Sequence, residues 1–323
     1  MSLLASLHPR ALYQRYRAYK HKQANAKKPE TFKEHLVAWV KTLVWALTVV
    51  TILNGLALAS FVVPTGSMEN TVLPGEFLFV NKAIYGPSTP QVIPFFNIPL
   101  PFVKLPALKA PAVGDVIVFI FPGGRDQPEA SEFQYYLKRC MGTPGDVVEI
   151  RNRQVIVNGN RVGLPEHGKY IYDQLHPQDK ANRIEVSQFS TFPAGYGNTI
   201  DNWGPIRVPK EGDVIDIKDQ KAAEAWAIFI RREGHTFDPV TKTLDGRRVD
   251  TYTVERNYVF GMGDNRDNSE DSRFFGFIPE HDVVGTPMMV YWSWENLDMT
   301  GRERSLFEKL SNIRWSRIGT IIR

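Results

Sequence analysis

Residues 263–273 read Gly-Asp-Asn-Arg-Asp-Asn-Ser-Glu-Asp-Ser-Arg. This stretch decides the reading of the whole chain. It holds three aspartates, two arginines, two asparagines and two serines, and no apolar side chain. A solvated loop needs no such density of opposite charges. A buried network does, because charges removed from water must satisfy one another and can then hold a reactive group in place. Ser269 reads as a hydroxyl able to hydrogen-bond and orient an amine. Asp264 with Arg266, and Asp271 with Arg273, read as supporting pairs. Calcium binding is the rival reading. The interleaved arginines argue against it, since calcium wants oxygen ligands.

Two other segments supply reactive groups for that network. Pro64-Thr65-Gly66-Ser67-Met68 contains a turn that presents the Ser67 hydroxyl. Thr65 offers a second hydroxyl, and the Ser67 N–H a donor, to a developing oxyanion. Gly-Ser is common in ordinary turns, so this segment alone carries little weight. Tyr135-Tyr136-Leu137-Lys138-Arg139-Cys140 reads as a strand interrupted by Lys138. A lysine facing inward there loses hydration, and its pKa falls from ~10.4 toward neutrality. It can then take a proton from a serine. A lysine on an exposed strand edge is the plainer alternative.

The 323 residues are 43% apolar and 23% charged, the balance of a globular protein and not of a multi-pass transporter. One cysteine, Cys140, excludes an intrachain disulfide. The seven histidines show no metal-ligand spacing, and none lies near the motifs. The net charge is +4. Lys and Arg crowd the first 41 residues, opposed there only by Glu30 and Glu34. Thr42–Val63 then runs without a charge, and about 20 such residues span a bilayer as a helix. A basic segment before an apolar span is a topology signal, with the basic side cytoplasmic. Nucleic-acid binding is the less economical reading.

Beyond Ser67 the pattern becomes short strands and turns, mainly antiparallel β. Strands are expected at Phe77–Val80, Val116–Phe121, Glu132–Met141, Val214–Ile217 and Thr251–Val254. A hairpin is expected across Arg151-Asn152-Arg153, joining Val147–Ile150 to Gln154–Val157. Helices are expected at Leu12–Ala26, Ala222–Arg232 and Arg304–Leu310. Gly86–Pro111 is proline-rich, with Phe95-Phe96 and Pro101-Phe102 as apolar pairs. The expected organisation is a basic tail at 1–41, an anchor at 42–63, and a catalytic β domain from 64–163 and 251–319. An inserted subdomain fills 164–250, and 320–323 form a short tail. Tyr291-Trp292-Ser293-Trp294 and the basic 314–323 segment read as further membrane contacts.

Taken in order, these blocks resemble the bacterial type I signal peptidases. The likeness rests on Thr65–Met68, Gly114–Phe119, Leu137–Arg139 with Gly145-Asp146, Gly263–Gly276, and Trp315–Gly319. It implies a mainly β, antiparallel, barrel-like fold with an N-terminal transmembrane helix. It implies Ser67 as nucleophile, Lys138 as general base, and Thr65 with the Ser67 N–H as oxyanion hole. Ser269 orients the lysine, with Asp264, Arg266, Asp271 and Arg273 as support. Phe61, Val63 and Leu137 match positions lining shallow apolar pockets for small residues before the cleavage site. The implied partners are secretory preproteins and the lipid bilayer, without nucleic acid, metal or cofactor. The implied location is the bacterial inner membrane, single-pass, with the catalytic domain outside the cytoplasm. A non-catalytic preprotein-binding or export-scaffold protein of the same fold is the alternative. Two departures stand out: Asn70 where many members have proline, and Phe275 where Trp or Tyr is usual.

Overall fold

The structure is a computed structural model and describes residues 17, 31–56, 58–87, 92–93, 98–99, 104–171, 190–295 and 302–323. The helix expected at Leu12–Ala26, Arg17 apart, lies outside the described residues, as do Phe95-Phe96 and Pro101-Phe102. Two compact units are distinguished, Met1–Thr51 and Ile52–Arg323.

Helix α1 runs Phe32–Leu56. Thr31 opens it: its hydroxyl accepts from Glu34 N at 3.3 Å, while the Glu34 carboxylate accepts from Thr31 N at 3.4 Å. This reciprocal pairing satisfies donors that a helix start leaves open. Phe32, Trp39 and Trp45 stand exposed on α1. Among the described residues, no helix is long and apolar enough to cross a membrane. The uncharged run 42–63 is not one continuous helix. It leaves the helix at Leu56, just after Asn54-Gly55, and its last part is strand β1. Hydropathy cannot separate the two, because helix and strand are equally apolar here.

The sheet of the larger unit contains β1 (Leu58–Val62), β2 (Glu76–Asn81), β3 (Val116–Ile120), β4 (Tyr135–Gly142), β5 (Tyr258–Met262), β6 (Ile278–Pro279) and β7 (Val283–Ser293). Their order is β1-β2-β7-β3-β4-β5-β6, antiparallel throughout. The run Val116-Ile117-Val118-Phe119 has no polar face because both faces of the sheet are covered. Val116 and Val118 enter one core with Met68, Val72 and Leu78. Ile117 and Phe119 enter another with Cys140 and Phe275. The strand period of two makes this split automatic.

The hairpin at Arg151-Asn152-Arg153 forms as expected, with Asn152 and Arg153 at φ 49° and 70°. It pairs with Trp203–Arg207. Its Val148, Ile150 and Val155 share a core with Phe192, Trp203 and Ala223, Ala227 and Ile230 of α2 (Gln220–Arg232). Residues 190–254 therefore pack with the 147–157 hairpin and with Tyr258 and Phe260 of β5. Strand β7 was not anticipated. Its Tyr291 stacks on Phe79 at 4.3 Å, and Trp294 meets Phe77 edge-on at 5.4 Å. Trp292 contacts Trp315, which is 70% exposed.

Candidate active site

Ser67 sits in a tight turn just after β1. Gly66 O accepts from Glu69 N, and Met68 O from the N–H groups of Thr71 and Val72. Met68 anchors the turn by burying its side chain in the core. Asn70 has φ 79°. Proline, with φ locked near −65°, cannot adopt that conformation. The departure from the expected proline therefore changes the local backbone of the turn.

The polar stretch binds this turn from the other side. Asn265 N donates to Ser67 O at 3.0 Å, and Asn265 Nδ2 to Gly66 O at 3.1 Å. The Glu69 carboxylate accepts from Asn265 Nδ2 and from Lys169 Nζ. Thr71 Oγ1 donates to Asp264 at 2.5 Å.

Lys138 reaches the same point from β4. Its Nζ lies 2.8 Å from Ser67 Oγ. It is only 3% exposed. Burial lowers its pKa to about 8. The charges of Asp271, Glu270 and Asp264 oppose that fall, and Arg273 adds to it. Desolvation wins because an ammonium loses more by leaving water than these carboxylates restore.

The supporting pairs differ in part from expectation. Asp271 and Arg273 do pair, through two contacts of 2.8 Å. Burial pushes the Asp271 carboxyl up, but the Arg273 charge and hydrogen bonds outweigh this and hold it below the usual range. Asp271 also caps α3 (Ser272–Phe275) and accepts from Gly263 N at 3.1 Å. Asp264, however, pairs with Arg139 and not with Arg266. Arg139 Nε and Nη2 reach its two oxygens at 2.9 and 2.7 Å. Arg266 is buried, its Nε has no hydrogen-bond partner, and its Nη2 lies 3.8 Å from Met141 Sδ. Neighbouring positions on β4 point to opposite faces, so Lys138 and Arg139 reach two different parts of the network. The Ser269–lysine hydrogen bond expected from the sequence is not formed. The Ser269 hydroxyl is buried without a partner. It packs against Gly263, where a Cβ would fall 2.2 Å from Ser269 Oγ and 2.5 Å from Ser67 O.

A cleft of about 700 Å³ opens over the dyad. Phe61, Val63 and Leu137 line it, as does Thr65. Tyr135 completes the apolar wall, edge-on to Phe61 at 4.8 Å. Both strands bordering the cleft keep a free backbone edge among the described residues. β1 pairs only with β2, and β5 reaches β4 only at Arg139, Cys140 and Gly142. The Ser67 N–H donates to no other backbone group among the described residues.

The model of the family described as "Signal peptidase, peptidase S26" matches residues 36–292. The chain belongs to this family. The peptidase is 29% identical to signal peptidase I of Aquifex aeolicus over 287 residues, covering 80% of this chain and 88% of that protein. It is 27% identical to the Helicobacter pylori signal peptidase I over 297 residues, covering 87% and 90%. With Pseudomonas aeruginosa signal peptidase I the identity is 25% over 301 residues, covering 88% and 79%. The enzyme is thus a serine peptidase of the signal-peptide-cleaving class.

Arg139, Asn265, Glu76 and Arg317 were not singled out from the sequence. Arg317 donates to buried Glu76 at 2.6 Å and to Thr71 O at 3.0 Å, bracing the segment after Ser67. Two adjacent cations on one strand were the only sequence signal for Arg139. Glu76 and Arg317 lie too far apart in the chain for any local pattern to link them.

Proposed function

We propose that Ser67 is the nucleophile and Lys138 the general base for cleavage of signal peptides from secretory preproteins. The observation that carries this is the 2.8 Å contact between a buried amine and the Ser67 hydroxyl. The neutral amine takes the Ser67 proton as Oγ attacks the scissile carbonyl. The Ser67 N–H and the Thr65 hydroxyl receive the developing oxyanion. Lys138, now protonated, gives its proton to the leaving amine, which departs with the mature protein. Water activated by Lys138 then hydrolyses the ester, releasing the signal peptide and restoring Ser67. Asp271–Arg273 and Asp264–Arg139 hold the loop that supports both groups. A scaffold protein has no use for this proton path.

The free edges of β1 and β4 receive the substrate as an added strand. Phe61, Val63 and Leu137 then face the residues before the cut, and large side chains there overlap the apolar wall. Incubation of the full chain with a preprotein in detergent tests the assignment. One cut after a small residue is expected, with no cut by Ser67→Ala. Equal cleavage by Ser67→Ala defeats it.

We also propose that α1 attaches the enzyme to the inner membrane, with the catalytic domain outside the cytoplasm. Its exposed apolar side chains and the basic residues before it support this reading. The exposed Trp315 beside Trp292 suits a second lipid contact. In right-side-out vesicles, external protease should degrade the catalytic domain. Its complete protection contradicts this topology.

A further inference from the structure

One wall of the cleft has no part in the apolar pockets. It lies on the Lys138 side, where Tyr136 and Glu270 line the cavity. Tyr136 stacks on Phe121 at 4.3 Å and meets Phe275 edge-on. The ring is therefore a fixed platform. Its centroid lies 5.4 Å from Lys138 Nζ. Its hydroxyl donates to Glu270 Oε2 at 3.3 Å, which places an exposed carboxylate at the rim of the cleft.

The direction of proton transfer gives this wall a role. During acylation, Lys138 protonates the leaving amine as the tetrahedral intermediate collapses, so that amine must lie beside Nζ. The amine belongs to the first residue after the cut. The chain that follows leaves the cleft on the Lys138 side, past Tyr136 and Glu270. The apolar pockets around Phe61, Val63 and Leu137 take the residues before the cut. Gln134 and Asn268, also on the cavity wall, add no charge to offset Glu270. The Tyr136 ring that holds the carboxylate lies 5.4 Å from Lys138 Nζ, and Glu270 lines the same cavity, so its charge acts on a substrate side chain that follows this wall.

We infer that Glu270 is a specificity-determining residue: an acidic subsite for the start of the mature protein that favours basic and disfavours acidic side chains there. The inference rests on the Ser67/Lys138 reading above. Its partner is defined by charge alone, because an exposed carboxylate on a rigid ring offers no shaped pocket.

The test uses the full-length enzyme in detergent at low ionic strength, where exposed charges are least screened. Peptides carry one cleavage site and differ only in Lys, Gln or Glu at the first or second position after the cut. In the wild type, kcat/KM is expected to fall from Lys through Gln to Glu, by about tenfold from end to end. Glu270→Gln should reduce that spread to within about twofold, and Glu270→Lys should invert it. Inversion separates a charge effect from a structural one, which would lower all three peptides together. Thermal melting of both variants checks that they fold. Equal rates in the wild type, or an unaltered spread in Glu270→Gln, overturn the inference while the Gln peptide still reports on the dyad. If no peptide is cut, the dyad reading fails and this one with it.

Discussion

Lys138→Met is expected to lower kcat/KM by about 10³-fold or more while leaving the protein folded. Methionine matches the length and the apolar stem of lysine but cannot accept a proton. The wild-type amine has a pKa of about 8. Activity should therefore rise with pH through that region as the amine becomes neutral. The stability effect has a definite sign. The native state holds the Lys138 proton less tightly than the unfolded chain, whose lysine titrates near its ordinary value. Between the two pKa values the unfolded state binds more protons, so this group adds stability as pH rises from about 8. Below that range the native enzyme carries the full cost of a buried ammonium. Lys138→Met removes that cost and should be at least as stable at pH 7. Lys138→Arg should also be inactive, because a guanidinium stays charged. Steady-state cleavage from pH 6 to 10, alongside calorimetry, checks these statements. Appreciable turnover by the methionine variant is incompatible with Lys138 as the base.

Gly263→Ala is expected to lower kcat by about a hundredfold. The reason is space. A Cβ at this position would fall 2.2 Å from Ser269 Oγ, 2.5 Å from Ser269 Cβ and 2.5 Å from Ser67 O. The last contact is with backbone, which cannot swing aside as a flexible side chain does. The Ser67 carbonyl also accepts from Asn265 N, so displacing it strains that bond and moves Ser67. A shift near 1 Å is enough to lose the attack geometry. Gly163→Ala is the matched control, since a Cβ there meets no atom within 4 Å. Near-normal cleavage by Gly263→Ala, with a melting temperature equal to that of Gly163→Ala, shows that the crowding is unimportant.

The two positions illustrate what was legible in advance. Ser67 and Lys138 could be named from the order of the blocks and the family resemblance it carries, since each segment alone has a plainer reading. The central strands β2, β3 and β4 could be named because their apolar patterns are local. Strand β7 escaped because its aromatic end, Tyr291–Trp294, suits a lipid interface as well as a sheet. The end of α1 escaped for a related reason: the residues on either side of Ala57 are equally apolar, and pairing with β2 makes the second group a strand. The pairing of Asp264 escaped because nearness along the chain points to Arg266. Arg266 is two positions away, and Arg139, 125 positions away, is the one bound. The unpaired Ser269 hydroxyl is visible only once every neighbour is placed.

Residue chemistry and local pattern, written in the chain itself, determined which side chains can react and which segments form the central sheet. Folding decided the partners, and with them the reactivity. A lysine amine titrates near 8 and not above 10 only when the enclosing strands strip its water away. Desolvation and long-range Coulomb interaction depend on distances in space, which separation along the chain does not encode.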